Sequence, residues 1–438
     1  MFRMNQTGVA VVACLLSGLA AGPARGMIGL PGHRPPSPGP TSGRVSVALP
    51  EVTAVDSLPD PGRVAVPSPP PSPDGGPGPP RFHRGLDAGT CAGLAAANSE
   101  EAAVIDARRA AIMAELPRHG DDPSRQMLIK GLGHEADEAR NQDACKALVL
   151  FHRLAQAQLQ GEVLRRSRAE VAGSLKAAKD QLDRGLFSGQ SLYDVLRLRQ
   201  SDLVGKQVEL AGSAERANLA LRGLIGVDPS EGDWVVRPVV DWEDLGAAPD
   251  APESVALALA HAPQLLMLRT VVAEVDRSTQ SAVEQLLAAV SPLAGSPGRA
   301  GPSPGLAAVM QALKHPKERR ASAENLRARA RQTLAWRERS TEADVRSAVL
   351  NVETGLREVA VARDAHAFRA EELDRLLKTS DRGLTPGLEV ATARLETLKA
   401  QGRWVDLVAE VAVRRVEVDR LTARYALPCV PPSPPITR

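Results

Sequence analysis

Aromatic residues are scarce in this chain, whose 438 residues include only 5 Phe, 4 Trp and 2 Tyr. β-Sandwiches and membrane barrels with aromatic girdles draw on such residues, so the scarcity argues for packed helices instead. Proline is missing from Ser124 to Asp228, and Lys317 to Leu427 contains only Pro386. Because proline removes a backbone donor and clashes inside a helix, these stretches are free to form long helices. An excess of one charge is also missing. Lys plus Arg number 54 against 52 for Asp plus Glu, a net charge of +2. That balance gives no electrostatic reason to expect nucleic acid as a partner.

Cysteine is rare, with 4 in all, and the spacing of Cys91, Cys145 and Cys429 fits no metal motif. A Cys91–Cys145 disulfide and two unpaired, small apolar side chains are both compatible with the sequence. His134-Glu135 lacks the second histidine of a zinc-protease helix, and no phosphate-binding loop, nucleophile elbow or paired-carboxylate signature occurs. The sequence therefore points to no enzyme, no cofactor and no metal.

The prolines that are present are clustered, seventeen of them from Pro23 to Pro80 and five from Pro428 to Pro435. Ahead of them, Arg3, the apolar run Gly8 to Ala21 and Ala24-Arg25-Gly26 have the layout of an export signal cleaved before Met27. Cys14 lies inside that apolar run, in a faint likeness to a lipoprotein processing site. The expected organisation is a signal peptide over 1–26, a disordered Pro-rich spacer over 27–87, a first helical repeat over 88–230, a strand-like linker over 231–250, a second helical repeat over 251–427 and a Pro-rich tail over 428–438.

Helices are expected from Glu100 to Leu116, from about His134 to Leu182, from Gln190 to Ile225, from Pro252 to Ala262, from Pro263 to about Val290, from Lys317 to Ser380 and from Leu388 to Tyr425. In the third, Leu196, Leu203, Leu210 and Leu224 lie on one heptad seam, and Val345, Val349, Val352, Leu356 and Val359 form another. The Lys317–Ser380 helix would be about 95 Å long, so it must lie along a rod or tube. Trp234 to Trp242 is the strand-like run that links the halves.

Asp183-Arg184-Gly185-Leu186-Phe187-Ser188-Gly189 matches Asp381-Arg382-Gly383-Leu384-Thr385-Pro386-Gly387 at five of seven positions. Each segment joins a long helix to a heptad helix, which marks a duplicated helix–turn–helix unit. Ala214 to Pro229, closing on Leu-Ile-Gly-Val-Asp-Pro, and Ser254 to Leu265, with its Ala/Leu helix before Pro263, complete a pattern that resembles the outer membrane efflux protein (TolC-like) family over roughly residues 90 to 427.

The resemblance implies an all-α fold of two long antiparallel coiled-coil units, forming one protomer of a TolC-like helical barrel. It implies a homotrimeric periplasmic duct that exports small molecules together with a periplasmic adaptor protein and an inner-membrane pump. It also implies a location in the cell outer membrane or periplasm. The turns around Asp183, Arg184 and Gly185, and around Asp381, Arg382 and Gly383, would form the duct entrance. Glu389, Asp194, Tyr193 and Arg197 would be the gate side chains. In the family, two membrane strands separate the first and second long helices of each half. Residues 117–133 and 291–316 hold neither alternating runs nor an aromatic, so little or no β-barrel is expected. A barrel-less periplasmic coiled-coil scaffold or adaptor-binding protein without transport activity is the alternative.

Overall fold

A computed structural model of the chain describes residues 82–119, 122–183, 190–227, 234–242, 245–290, 316–380 and 387–426. The signal segment, most of the spacer and the tail lie outside these residues, as do Arg184, Gly185, Asp381, Arg382 and Gly383. The described elements are β1 (Phe82–Asp87), α1 (Ala88–Ala97), α2 (Glu100–His119), α3 (Pro123–Asp183), α4 (Gln190–Leu224), β2 (Trp234–Val239), α5 (Ala251–His261), α6 (Pro263–Glu274), α7 (Gln280–Val290), α8 (Pro316–Ser380) and α9 (Gly387–Leu421). The order strand, short helices, very long helix, 35-residue helix occurs twice.

Local chemistry explains where these elements start and stop. Asp87 caps α1 by accepting from the Thr90 N–H at 2.8 Å, and Asp250 caps α5 through the Glu253 N–H at 2.9 Å. The helix expected from Pro263 to Val290 is instead two helices. Asp276 Oδ1 accepts from the backbone N–H groups of Ser278 (2.7 Å) and Thr279 (2.9 Å), a local turn that competes with the helix. Conversely, α3 begins eleven residues before the expected His134, because Gly131 and Gly133 are accommodated within the helix. α2 likewise runs through Pro117. A strand and a helix that periodicity did not reveal, β1 and α1, occupy residues 82–97.

The two repeats lie side by side. β1 pairs with β2 in parallel, Phe82 opposite Trp234 through Asp87 opposite Val239. α3 packs antiparallel on α4, and α8 on α9, through the expected heptad seams. Of the expected seam residues, Leu196, Val345, Val349, Val352 and Val359 are buried, and Leu203, Leu210, Leu224 and Leu356 are half-buried. Burying a side chain of this type is worth about 1.5–3 kcal/mol.

Where the repeats meet, α3 lies antiparallel to α9 along a polar seam. Arg153 pairs with Glu410 (2.7 Å), Gln156 donates to Asp406 (2.6 Å), Gln160 donates to the Gly402 carbonyl (2.6 Å) and Arg394 pairs with Glu170 (3.2 Å). Near its end, buried Asn141 donates to the Arg420 carbonyl (2.8 Å) and accepts from the Tyr425 N–H (3.2 Å).

The two 35-residue helices end in the same way. Past α4, Val227 N–H bonds the Arg222 carbonyl (3.0 Å) and Gly226 N–H the Gly223 carbonyl (3.2 Å), a Schellman cap with Gly226 at φ 76°. Past α9, Arg424 N–H bonds the Asp419 carbonyl (3.0 Å) and Ala423 N–H the Arg420 carbonyl (3.1 Å), with Ala423 at φ 56°. Alanine carries a left-handed penalty of about 1 kcal/mol that glycine escapes. Ala423 is also buried, so Ala423→Gly trades that strain against a buried methyl worth about 0.8 kcal/mol, and the urea midpoint at constant m is expected to move by no more than a few tenths of a kcal/mol.

Candidate functional site

The long helices form a wall four columns wide. α3 and α8, with 61 and 65 residues, each span its full length. α4 covers the C-terminal part of α3 on one flank and α2 the N-terminal part on the same flank. Thus Gln207 bonds Arg168, whereas Ser99 bonds Asp143, Asp106 bonds Arg140 and Glu115 bonds Arg125. On the other flank of α3, α9 occupies the lower part and α6 with α7 the upper part. Met127, Met267, Leu268, Val271, Leu286, Leu326 and Ala330 form a core there.

α8 closes the wall by packing on α9 below and on α6 and α7 above. The β1–β2 ribbon and α1 rest on one face through Leu86, Leu94, Phe151, Leu221, Trp234 and Val236. The guanidinium carbons of Arg84 and Arg222 lie 4.6 and 5.1 Å from the centre of the Trp234 ring.

Among the described residues, α4 has α3 as its one long neighbour and α8 has α9. The opposite flank of each is open. On α4 that flank carries Leu198, Gly205, Val208, Gly212 and Leu219, with Leu198, Val208 and Leu219 exposed by 66%, 68% and 58%. On α8 it carries Trp336, Leu350, Val361 and Phe368, exposed by 49%, 58%, 71% and 64%. Their spacing places each set on a single line, turned away from the helix's own partner. Periodicity found the buried seams but not these outer lines, which heptad analysis could have shown as a second apolar stripe.

The entrance residues inferred from the turn motif fall at one end of this wall. α3 and α8 run in the same direction, so their C-terminal ends lie together. Asp183 ends α3 and is exposed. On α4, Tyr193 is half-buried while Asp194 and Arg197 are exposed, and Glu389 is exposed in the first turn of α9. The five turn residues between these helices lie outside the described residues.

Buried titratable groups are found away from that end. Burial pushes the Cys91 and Cys145 thiols up to about 12, and both cysteines are unpaired. Burial also raises the Asp406 carboxyl above its ordinary range, against the lowering effect of bonds from Gln156 and Gln160 and of the Arg153 charge. Among the described residues, no group of three or more His, Cys, Asp or Glu side chains could hold a metal ion. Among the described residues, no single helix is long and apolar enough to cross a membrane.

No protein-family model matches the chain, and no curated protein does. Solved structures do match. The outer-membrane channel OprN aligns over 77% of this chain and 89% of its own, at 14% identity and a TM-score of 0.53. CusC, studied for conformational changes accompanying transmembrane channel formation, aligns over 77% and 96% at 13% identity and 0.52. The outer membrane protein VceC from Vibrio cholerae aligns over 69% and 74% at 12% identity and 0.51. The mostly helical wall of long paired helices, built by a duplicated unit, is thus the fold of the TolC-family outer membrane efflux channels.

Proposed function

We propose that this protein is the duct component of a cell-envelope export system, a homotrimer of helical walls closed into a tube. It would pass small molecules with an inner-membrane pump and a periplasmic adaptor, by assembly rather than bond chemistry. The observation that carries this reading is the pair of open, apolar edges on α4 and α8. A wall with two different unsatisfied edges closes by head-to-tail association, and rotation about an axis along the helices keeps every copy at one height.

The heights agree. Gln207 bonds Arg168, Arg394 bonds Glu170 and Thr397 bonds the Arg369 carbonyl, so Val208 stands level with Phe368. Leu221 clusters with Leu154, Arg153 pairs with Glu410, and Val408 clusters with Val359, so Leu219 stands level with Val361. The entrance would lie at the end marked by Asp183, Tyr193, Asp194, Arg197 and Glu389, with Arg184, Gly185, Asp381, Arg382 and Gly383 in the turns.

A second reading, a barrel-less periplasmic scaffold, has its own support. α2 ends at His119 and α3 begins at Pro123, leaving three residues between them. Two membrane strands need about 9–11 residues each. Native mass measurement and planar-bilayer recording separate the readings. A trimer that conducts ions supports the duct with a pore, and a trimer that neither conducts nor partitions into the outer membrane supports the scaffold. A monomer at every concentration would overturn both. Val361→Asp combined with Phe368→Asp is expected to abolish the trimer while leaving the helical circular dichroism unchanged.

A further inference from the structure

α6 and α7 both touch α3 and α8. Two helices cannot share one place in a wall, so one stands in front of the other. α6 keeps the column. It runs antiparallel to α3, with Gln264 donating to Glu138 at 3.3 Å and Lys130 paired with Glu274 at 2.5 Å, and it meets α8 where Arg269 pairs with Glu338 at 2.9 Å. The Asp276 turn is tied to α3 by Ser124 Oγ, which donates to the Ser278 carbonyl at 2.5 Å. From that turn α7 doubles back over α6.

The face that α7 covers is opposite the ribbon. On α3, Gly131 turns to Leu286 of α7, whereas Phe151 and Leu154 turn to the ribbon. At 100° per residue, Gly131 stands about 200° from Phe151 and about 140° from Leu154. On α8, Leu326 clusters with α7, whereas Val349 clusters with Val255 of α5 and Leu356 with Trp242 just past β2. Leu326 stands about 140° from Val349 and about 120° from Leu356. The two long helices give the same answer.

In the ring proposed above, one of these faces lines the bore. Three copies of the four-column wall set roughly twelve helices side by side at about 10 Å each, a ring about 38 Å across between axes with a bore of about 28 Å. The ribbon, α1, α5 and the chain around Trp242 and Leu245 make one layer, and three such layers, each about 10 Å thick, would fill that bore. Below α7 the opposite face is bare and carries Arg153, Glu410 and Glu417, charged side chains that suit water. The ribbon therefore belongs outside and α7 inside.

α7 has the two sides such a place requires. Ala282, Val283, Leu286 and Leu287 are buried against the wall. Ser281, Glu284 and Gln285 are exposed on the other side, with Glu284 accepting from Gln280 at 3.5 Å. A helix is about 10 Å thick, so α7 helices on the inner surface narrow the bore to about 8 Å.

We infer that α7 is a collar inside the duct: at the end away from the entrance, one copy from each chain stands in the bore and turns Ser281, Glu284 and Gln285 to its axis. The inference rests on the ring and goes beyond it. An opening of this width passes small molecules and stops folded proteins, and a ring of carboxylates favours cations over anions of equal size. The buried contacts of α7 hold it on the wall, so the collar is a fixed filter and not a moving plug.

Spin-label distances and thiol chemistry test this in a Cys14→Ser, Cys429→Ser background, where the native Cys91 and Cys145 are buried and stay unreactive. Glu284→Cys on α7 and Leu257→Cys on α5 are each labelled with a nitroxide, on protein whose trimer is verified by native mass measurement. Both sites are exposed, so folding is not at stake. Labels on different chains are expected within about 20 Å of each other at position 284 and beyond about 40 Å at position 257. The reverse order, or long distances at both sites in a trimer, would overturn the collar and leave the ring standing. A monomer at every concentration would overturn the ring, and this inference with it. Ser281→Cys reads the charge. Relative to a free small thiol, a cationic methanethiosulfonate is expected to modify it about fivefold faster than an anionic one, and Glu284→Gln should remove that preference. A preference unchanged by Glu284→Gln would overturn the carboxylate ring.

Discussion

Gly131→Val is expected to destabilise the protein by about 3 kcal/mol, whereas Gly173→Ala in the same helix is expected to stabilise it by about 0.5–1 kcal/mol. Helix propensity favours both substitutions, so propensity cannot produce opposite signs. Packing does. A Cβ on Gly131 would lie 2.4, 2.8 and 3.2 Å from three carbons of Leu286, whereas one on Gly173 would meet nothing within 4 Å. Leu286 is itself 3% exposed in the core that binds α3 to α6, α7 and α8, so it has nowhere to retreat. The loss should appear first as faster hydrogen exchange in α6 and α7, with the α3–α4 coiled coil still protected. Equal loss of protection in α4 would contradict the argument.

Acid should weaken the fold through His152. Burial pushes its pKa down to about 4 from the usual 6.5, and Nδ1 has no hydrogen-bond partner among the described residues. A depressed folded-state value means a contribution that is complete above pH 6.5 and lost as pH falls towards about 4. The shift corresponds to roughly 3 kcal/mol. His152→Leu should remove most of that loss, measured as urea midpoints at pH 7 and pH 4.5. Asp406 acts in the opposite direction. Its raised value means that protonation favours the folded seam as pH falls towards 3.8. Asp406→Asn should therefore steepen the acid loss just above that pH.

Much of the fold was legible because the strongest physical signals are local. Proline-free stretches and heptad leucines and valines identified α3, α4, α8 and α9, and the Asp-Arg-Gly motif identified the duplication. What was missed depends on contacts distant in sequence. β1 is a six-residue strand with no partner until β2, so nothing near Phe82–Asp87 marks it. The upper part of α3 contains two glycines that read as a loop, yet Gly131 is the place where Leu286 must approach. The turn at Asp276 depends on which of two competing bonds its carboxylate makes. The entrance residues were legible only as a repeated motif, and the apolar edges only as exposed side chains, which a pattern search for buried faces passes over.

The parallel β1–β2 ribbon also governs the order in which the chain can be completed. β1 leaves the ribosome before the helices of the first repeat, but its partner strand follows all of them. Until Trp234–Val239 arrives, Leu86, Leu94, Phe151 and Leu221 lack the side that Trp234 and Val236 provide. The first repeat is therefore not a unit that finishes by itself. It is finished by the opening strand of the second, which makes the duplication two halves of one folding event rather than two modules in a row.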